Sequence, residues 1–422
     1  MSRALQGAIF GIAAILTGCG SGGILPGTSP ALSPIVTQSL PPSPIKHVVI
    51  IMQENRSFDN LFNGYPGADT VRSGMRYGQQ VALQPVPLGD GRDLNHSHTG
   101  WWKQWHHGKL DGFSDMAYAY VPRRDVRPYW NLAAAYTLGD RMFQSNTGPS
   151  FVAHQYMIAA QSGNASENPT GRIWGCEAGS SSRVALVGPN GTDLPGVYPC
   201  FDYSTMADLL DAKKITWRYY APGSTDGFFV ISAFQAIRHI RFGSDWTNNV
   251  ISPETNVLTD IQKGELAQVT WIVPSWAHSD HPGSGDEGPD WVASITNAIG
   301  ASRFWDSTVI FIAWDDWGGW YDHVDPPQID QMGLGFRVPL LVVSPYAKHG
   351  YISHVTHESS GFLTYIEHLY GLPNLGARDA IADDLLDCFD YNQHPKPYVQ
   401  IHTMRSPEAL IREKPSGPPD DD

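Results

Sequence analysis

Two pairs of adjacent oxygen-bearing side chains each follow a short apolar run. Glu54 and Asn55 come directly after residues 46–52, and Asp315 and Asp316 come shortly after residues 309–312. Carboxylate and amide oxygens are the ligands that hard divalent cations prefer. Adjacent carboxylates also repel each other unless a cation or a proton separates them. Taken alone, the first pair is better explained as a helix N-terminus, and the second fits a metal site and an exposed acidic turn about equally well.

A third polar segment contains Ser150, which follows the Gly148-Pro149 turn and begins a helix-like stretch. The partial positive charge of a helix N-terminus favours a phosphate group beside such a hydroxyl. A serine in this place is also a common helix cap. The segment by itself therefore leaves a phosphate-binding role and a capping role open.

Histidines form the fourth polar group. An imidazole can protonate a leaving alkoxide near neutral pH or donate to a phosphoryl oxygen. Most single histidines are structural, so at most a few of the 16 in this chain are expected to be catalytic. The candidates lie in two segments and are His96, His98, His106, His107, His278 and His281.

The elements that must position these groups predict an α/β fold. Short apolar runs typical of buried strands cover residues 46–52, 216–220, 269–273, 309–313 and 339–343. Helical patterns lie between them at residues 205–212, 289–299 and 361–370. Buried strands separated by helices indicate a layered fold around a largely parallel sheet. Ligands bind beyond the carboxyl ends of the strands in such folds, where these polar groups would lie.

Composition narrows the class of partner. The chain has 422 residues, 41% of them hydrophobic, and a net charge of −14. This charge argues against a nucleic acid bound through a basic surface. It does not exclude an anionic substrate, because a bound metal can reverse the local field.

The N-terminus predicts export. An apolar run ends in Leu16-Thr17-Gly18-Cys19, which is similar to a bacterial lipobox, although an ordinary signal peptide stays open. We expect a lipoprotein signal peptide at residues 1–18, a lipidated Cys19 that anchors the chain to a membrane, and a flexible tether at 19–45. The product would be a periplasmic or cell-surface lipoprotein.

The rest of the sequence predicts the bounds of a catalytic domain and a C-terminal tail, and the state of the other cysteines. A catalytic domain is expected at residues 46–395 and a polar tail at 396–422, disordered from about Arg405. Export permits disulfides, and Cys176 and Cys200 flank a loop rich in Gly, Ser and Pro, so we predict that they pair. Cys388 is expected to be a buried free thiol.

In this order, the polar clusters resemble the bacterial acid phosphatase and phospholipase C family, a phosphoesterase family whose fold is related to alkaline phosphatase. The resemblance covers roughly residues 45–395. It implies a three-layer α/β/α sandwich with a central, mostly parallel sheet. The segments that carry it are residues 47–62, 107–113, 148–150, 279–282, 315–324, 336–347 and 379–391.

The resemblance also implies roles for single residues. Ser150 matches the nucleophile, and His281 lies where a histidine protonates the leaving group. His107 lies where a polar residue approaches the phosphoryl oxygens, although His106 is also open, and His323 matches a recurrent Asp-His pair. A single divalent metal, of which Ca²⁺, Mg²⁺, Mn²⁺ and Zn²⁺ all stay open, is expected to be held by Glu54, Asn55, Asp315 and Asp316.

Two features depart from the family pattern. Trp317 follows Asp316 where a smaller or polar residue is expected, and we predict that it narrows or lines the entrance. His278 is a second candidate for the acid beside His281.

The expected function is hydrolysis of phosphoric esters through a phosphoserine. The substrate is either a phosphomonoester or a phospholipid diester. The lack of an obvious accessory domain after about residue 395 favours the compact, phosphatase-like members. A non-catalytic surface binding lipoprotein on the same fold is the alternative from another class. The sequence does not determine the oligomeric state.

Overall fold

The computed structural model describes residues 43–188, 193–223 and 231–412. The predicted signal peptide, the lipidated Cys19 and nearly all of the predicted tether lie outside the described residues, as does the last part of the C-terminal tail. In the described part of the chain, no helix combines the length and the apolar character needed to cross a bilayer.

The strands fall into one large sheet and several two-stranded pairs. In chain order they are β1 (His47–Gln53), β2 (Ser73–Arg76), β3 (Gln79–Ala82), β4 (Gln84–Pro85), β5 (Ala119–Tyr120), β6 (Thr137–Gly139), β7 (Met142–Phe143), β8 (Val184–Val187), β9 (Asp193–Val197), β10 (Trp217–Tyr220), β11 (Val250–Ile251), β12 (Val269–Ile272), β13 (Thr308–Trp314), β14 (Leu340–Val343), β15 (Tyr351–Ser353) and β16 (His357–Glu358).

The α-helices alternate with these strands along much of the chain. They are α1 (Phe58–Leu61), α2 (His98–Trp105), α3 (Arg127–Ala135), α4 (Ser150–Ala159), α5 (Met206–Ala212), α6 (Arg238–Arg241), α7 (Ser244–Asn249), α8 (Asn256–Lys263), α9 (Gly288–Gly300), α10 (Gly361–Tyr370) and α11 (Pro407–Ile411).

The large sheet has eight strands in the order β11-β10-β12-β1-β13-β14-β6-β15. Neighbouring strands pair in parallel except at β14, which is antiparallel to both β13 and β6. The central strands β1, β12 and β13 are almost wholly buried, as their continuous apolar runs require in a sheet covered on both faces. The predicted α/β class with a mostly parallel central sheet is confirmed.

Helices cover both faces of this sheet. Phe311 of β13 stacks on Phe362 of α10, with ring centroids 5.1 Å apart. Trp314, three residues later on the same strand, meets Tyr129 of α3 edge to face at 5.0 Å. Residues an odd number apart on a strand point to opposite faces, so α10 and α3 lie on opposite sides. This is the three-layer arrangement that was predicted.

Every strand and helix predicted from hydrophobic pattern is present, with ends that agree to within one residue. The strands β6, β11 and β15 were not predicted. Each has only two or three residues, too few to show a periodic pattern. Their place in the sheet depends on neighbours that are distant in sequence.

The predicted tail begins at residue 396. Its described part, residues 396–412, packs on the domain, and the end of the tail, where disorder was expected, lies outside the described residues. The side-chain amide of Asn297 bonds to the backbone of Ile401 through both its nitrogen and its oxygen. Arg405 pairs with Glu287. The apolar residues that anchor the segment are too widely spaced to read as a pattern, and Leu410 of α11 is fully buried.

The cysteines behave as predicted. Cys176 and Cys200 form a disulfide, and Cys388 is a buried free thiol. The disulfide closes a loop of about two dozen residues, which restricts the unfolded chain.

Candidate active site

The pairing of β1 with β13 brings the two acidic segments together. The strands are parallel and in register from His47 opposite Thr308 to Gln53 opposite Trp314. The next residues, Glu54 and Asp315, therefore leave the sheet side by side. The amide of Asn55 donates to Asp315 Oδ1 at 3.1 Å and locks the two strand ends together.

A glycine turn after β13 holds the second acidic residue. The amide of Gly318 donates to Asp316 Oδ1 at 2.7 Å. Gly318 has a φ of +61°, and a Cβ there would lie 2.2 Å from the carbonyl oxygen of Asn55. Only glycine fits this approach, so the turn and the Glu54-Asn55 segment are packed against each other by necessity.

Helix α4 supplies the hydroxyl. Ser150 is its first residue, and the hydroxyl donates to Asp316 Oδ2 at 3.4 Å. Burial raises the pKa values of Glu54 and Asp315, and contact with this hydroxyl opposes part of the rise. The structure therefore brings Ser150 together with two acidic segments that are distant from it in sequence, one before it and one after it.

The turn before α4 is fixed by buried serine contacts. The amide of Ser145 donates to Ser359 Oγ at 3.1 Å, and the amide of Ser360 donates to Ser145 Oγ at 2.8 Å. These bonds join the turn to the segment that follows β16. They determine where Ser150 begins its helix.

His154 lies one helical turn after Ser150 and on the same face of α4. Its Nε2 donates to Glu54 Oε1 at 2.9 Å and lies 3.8 Å from Asp315 Oδ2. Burial lowers its pKa, although Asp315 and Asp316 oppose the shift. A neutral His154 thus orients Glu54 without adding a positive charge to the cluster.

His96 determines the orientation of the Asn55 amide. His96 Nδ1 lies 2.7 Å from the carbonyl oxygen of Leu94, which can only accept, so Nδ1 carries the hydrogen. The Nε2 of a neutral His96 then accepts from Asn55 Nδ2 at 3.0 Å. This arrangement turns Asn55 Oδ1 toward the carboxylates, 3.0 Å from Glu54 Oε2 and 3.2 Å from Asp315 Oδ1.

The opposite amide orientation requires a charged His96. In that state Asn55 would donate to Glu54 and Asp315 and would accept from His96 Nε2. The two Asn55 orientations are therefore alternatives. The outward oxygen goes with a charged His96, and the inward oxygen goes with a neutral His96 and leaves room for a cation among the converging oxygens. Because a cation would repel the charged imidazole, a cation among these oxygens would favour the neutral His96 and the inward Asn55 oxygen.

The electrostatics of the cluster also fit a cation. Burial raises the pKa of Glu54 to about 8, and the negative charge of Asp316 adds to the shift. Burial and the charge of Glu54 raise the pKa of Asp315 to about 7. Asp315 Oδ2 is buried without a hydrogen-bond partner among the described residues. An acceptor of this kind is costly unless a cation or a proton satisfies it.

The loop after β12 carries His281 to the same edge of the sheet. Gln53 holds this loop from both sides, donating to the carbonyl of His278 at 2.9 Å and accepting from the amide of Asp280 at 3.1 Å. The carboxyl group of Asp280 accepts from Tyr129 and Trp314. The loop is therefore bound to β1 and β13.

His281 faces His96. Their ring centroids are 6.4 Å apart, and the ring of Trp276 lies 4.9 Å from His281 on another side. His281 Nδ1 donates to the carbonyl of Pro282 at 3.0 Å, which leaves Nε2 as the atom that would carry a transferable proton. His281 therefore joins the cluster through His96 and Asn55.

A cavity of about 400 Å³ opens beside these groups. His96 and Pro149, the residue before Ser150, form part of its wall, and Asp93 and Glu167 give it acidic groups. The amides of His98 and Thr99 donate to Glu167 and hold it in place. The cavity thus connects the cluster with the surface.

Three predicted or alternative histidines lie elsewhere. His107 is exposed in a left-handed turn after α2, and its ring contacts Trp105 and His106. His106 bonds to Asp111 at 2.5 Å. His278 bonds to Glu254 at 2.8 Å and stacks on Trp291. The structure does not bring His106 or His107, which follow α2, to the acidic cluster. His278 has a structural environment.

His323 belongs to a separate ionic cluster. Its Nδ1 donates to Asp59 Oδ2 at 2.6 Å and its Nε2 lies 3.1 Å from Asp69 Oδ1. The fully buried Arg337 pairs with Asp322 at 2.8 Å beside them. This cluster ties the segment after β13 to α1, so His323 supports the site from outside it.

Trp317 is fully buried and does not line an open entrance. Its indole donates to Gln104 Oε1 at 2.6 Å, and its ring meets that of His96 edge to face. The residue therefore positions α2 and His96.

His154 was not anticipated from the sequence, and His96 was one of six candidate histidines. The resemblance favoured His107 over His96. His154 stands four residues after Ser150, which in a helix places both on one face. That spacing was the available signal.

Comparison with known proteins decides the family. The sequence matches the phosphoesterase family over residues 45–373. The chain belongs to the phosphoesterase family. The predicted family is therefore confirmed, and the matched range contains every residue of the cluster.

Curated relatives of this phosphoesterase are phospholipases. A hemolytic phospholipase C of Pseudomonas aeruginosa is 26% identical, covering 88% of this chain and 59% of its own length. Phospholipase C B of Mycobacterium tuberculosis is 26% identical, covering 84% of this chain and 79% of its own. The chain thus spans less than two thirds of the Pseudomonas relative.

A solved structure of a protein in the alkaline phosphatase superfamily from Vibrio parahaemolyticus aligns with 85% of this chain and 74% of its own. The TM-score is 0.42 and the sequence identity is 11%.

The raised pKa values predict how a cation changes stability with pH. Without a cation, folded Glu54 and Asp315 keep protons up to about pH 8 and 7, whereas unfolded carboxyl groups lose them near pH 4. The folded state binds more protons between these limits, so their contribution lowers the free energy of unfolding as pH rises. A bound cation replaces the protons and should reduce this fall.

Urea unfolding from pH 5 to 8, in chelator and then in saturating Mg²⁺, Ca²⁺, Mn²⁺ or Zn²⁺, measures the effect. The stabilisation by the effective cation should grow with pH. The Glu54→Gln/Asp315→Asn variant serves as control and should show no such growth with Mg²⁺, Ca²⁺ or Mn²⁺. Stabilisation that is independent of pH in the unaltered protein would contradict the assignment.

Proposed function

We propose that this protein hydrolyses phosphodiesters of the phospholipid type through a phosphoserine at Ser150, with one divalent cation. The convergence of Ser150 with Glu54, Asn55, Asp315 and Asp316 is the observation that carries the proposal. Family membership and the names of the phospholipase C relatives support it.

The donor set suits a hard cation. Glu54, Asn55, Asp315 and Asp316 would hold it through oxygen atoms, which leaves Ca²⁺, Mg²⁺, Mn²⁺ and Zn²⁺ as candidates. When bound, the ion would supply Lewis-acid stabilisation of the negative charge that develops on the nucleophile and the phosphoryl oxygens. His154 and His96 stay neutral beside it and hold Glu54 and Asn55 in place.

The first chemical step forms a bond between Ser150 Oγ and phosphorus. Its proton passes to Asp316 Oδ2, the atom to which the hydroxyl donates. The bond from phosphorus to the alcohol breaks, and His281 gives a proton to the departing oxygen. The N-terminus of α4 adds amide dipoles beside the phosphoryl group.

The second step is hydrolysis of the phosphoserine. Water gives a proton to His281 and attacks phosphorus, and Ser150 leaves with the proton held at Asp316. Because His281 acts as acid first and as base second, the site returns to its initial state. Burial of these groups excludes bulk water, which strengthens their electrostatic interactions.

The charge of the cavity wall indicates which head group the phosphodiester would carry. Asp93 and Glu167 place negative charge on its wall, so a cationic or neutral head group is favoured over an anionic one. A phosphomonoester carries more negative charge than a diester and would meet more repulsion. An acid phosphatase is the second candidate, because the same nucleophile and cation serve monoesters.

A non-catalytic binding protein is disfavoured because the nucleophile lies at the acidic cluster. We further propose that the chain is exported and anchored through lipidated Cys19. The lipobox-like segment 16–19 and the Cys176–Cys200 disulfide support this placement.

Replacing the nucleophile should remove turnover. We expect Ser150→Ala to lower kcat by on the order of 10³-fold or more while the fold persists, because the residue contributes one hydroxyl. Ser294→Ala is the matched control, since Ser294 is equally buried on α9 and its hydroxyl has no partner in the described chain. Retention of most activity by Ser150→Ala, measured with p-nitrophenyl phosphorylcholine, would refute the phosphoserine.

Substrate preference separates diester from monoester hydrolysis. We expect a higher kcat/KM for p-nitrophenyl phosphorylcholine than for p-nitrophenyl phosphate, because the cavity wall is acidic. Charge-neutral Asp93→Asn/Glu167→Gln should narrow the difference by raising KM for the substrate that carries the cationic choline group. A preference for the monoester would instead assign the protein as an acid phosphatase.

The role of His281 predicts a dependence on the leaving group. His281→Ala should reduce kcat by about 10²–10⁴-fold for an alkyl alcohol that needs a proton, and much less for p-nitrophenol, which leaves as an anion. His278→Ala is a neighbouring control. An equal loss for both leaving groups would show that His281 is not the acid.

A further inference from the structure

A second group of potential metal ligands lies outside the active site. It consists of His357 on β16 together with Asp387 and Cys388 in the single 3₁₀ turn Leu386–Cys388. His357 and Cys388 are buried. The hydrolytic mechanism uses none of these residues.

The three donor atoms are spaced as the corners of a small tetrahedron. Cys388 Sγ lies 3.9 Å from His357 Nε2 and 3.6 Å from Asp387 Oδ1, and His357 Nε2 lies 3.1 Å from Asp387 Oδ1. With typical zinc bond lengths to sulfur, nitrogen and oxygen, a tetrahedral site has edges of roughly 3.3–3.6 Å. Shifts of a few tenths of an ångström would therefore complete coordination.

A carboxylate behind the imidazole fixes its ligating nitrogen. His357 Nδ1 donates to Asp383 Oδ2 at 2.6 Å, which is the arrangement that orients most metal-bound histidines. Nε2 faces Asp387 Oδ1 and Cys388 Sγ, and it carries a proton there, because the Ser353 hydroxyl donates to Asp387 Oδ2 and can only accept from Nε2. A bound metal would take the place of this proton. The hydroxyl of Ser353, 2.9 Å from Nε2, closes the remaining side.

The same residues resemble a thiol nucleophile with its base, but burial excludes that role. The side chain of Cys388 is fully buried, and burial raises the pKa of its thiol to about 11. A substrate cannot reach the sulfur, and a thiolate is not favoured there without a metal.

We infer that His357, Asp387 and Cys388 bind a zinc-type transition metal, with Asp383 as the carboxylate that orients His357. The mixed nitrogen, sulfur and oxygen donors suit Zn²⁺. Binding releases the thiol proton of Cys388 and the Nε2 proton of His357 to solvent, and the thiolate and the Asp387 carboxylate balance the charge of the ion.

The location suggests a consequence for the active site. β16 pairs with β7, and Ser359 and Ser360, which follow β16, hold Ser145 in the turn before Ser150. A metal at His357 would therefore connect residues 383–388 to β16, and through Ser359 and Ser360 to the turn that precedes Ser150.

Cobalt substitution tests the site directly. The full-length protein, stripped of metal with a chelator, is titrated with Co²⁺ and followed by absorption. We expect the near-ultraviolet charge-transfer band of a cobalt–thiolate bond, which neither the paired Cys176 and Cys200 nor a lipidated Cys19 can give. Its absence would leave His357 as an imidazole held only by Asp383 and Asp387, and would overturn the inference.

Variants distinguish this site from the catalytic one. Cys388→Ser and His357→Gln should each lose the band and about one equivalent of bound Zn²⁺ per chain, whereas Glu54→Gln should keep the band. Circular dichroism checks that each variant folds. A band that survives in Cys388→Ser would assign the thiolate to another cysteine and refute the site. Failure of the hydrolytic proposal would not affect these readouts.

Discussion

The active site depends on burying several carboxylates at the adjoining ends of two parallel strands. The in-register pairing of β1 with β13 forces Glu54 and Asp315 to leave the sheet together. Burial raises the pKa of both groups, which means that the folded chain holds them at a cost when they are charged. On the proposed function, a divalent cation would remove that cost, and the same geometry that strains the metal-free protein would give it affinity for the ion.

Neutral polar contacts hold this arrangement without cancelling its charge. His154 orients Glu54, and His96 turns the Asn55 amide. Gln53, the last residue of β1, holds the His281 loop through both the nitrogen and the oxygen of its side-chain amide. Positive charge is placed farther out, where Arg56 donates to the carbonyl of Asp280. The inner cluster therefore keeps its attraction for a cation, and the outer groups supply rigidity.

The histidines show where sequence reasoning is weakest. His96 and His107 lie in one segment, yet α2 ends between them and the chain turns into a left-handed conformation at His106 and His107. That turn sends His107 to the surface, whereas His96 stays inside against Trp317. Residue type and spacing cannot predict this separation, because it depends on where α2 packs. His323 diverges for a similar reason, since Arg337 and Asp59 draw it into their own ionic cluster.

The sequence by itself determined the five strands β1, β10, β12, β13 and β14, the α/β class, the disulfide and the acidic segments at two strand ends. Apolar runs and local turn chemistry carry that information, because they depend on neighbours in the chain. Only the tertiary structure decided that Ser150 meets Asp316, that His96 rather than His107 meets Asn55, and that residues 396–412 pack on the domain. Those contacts join distant segments, and the order of strands in the sheet sets them, which no local pattern encodes.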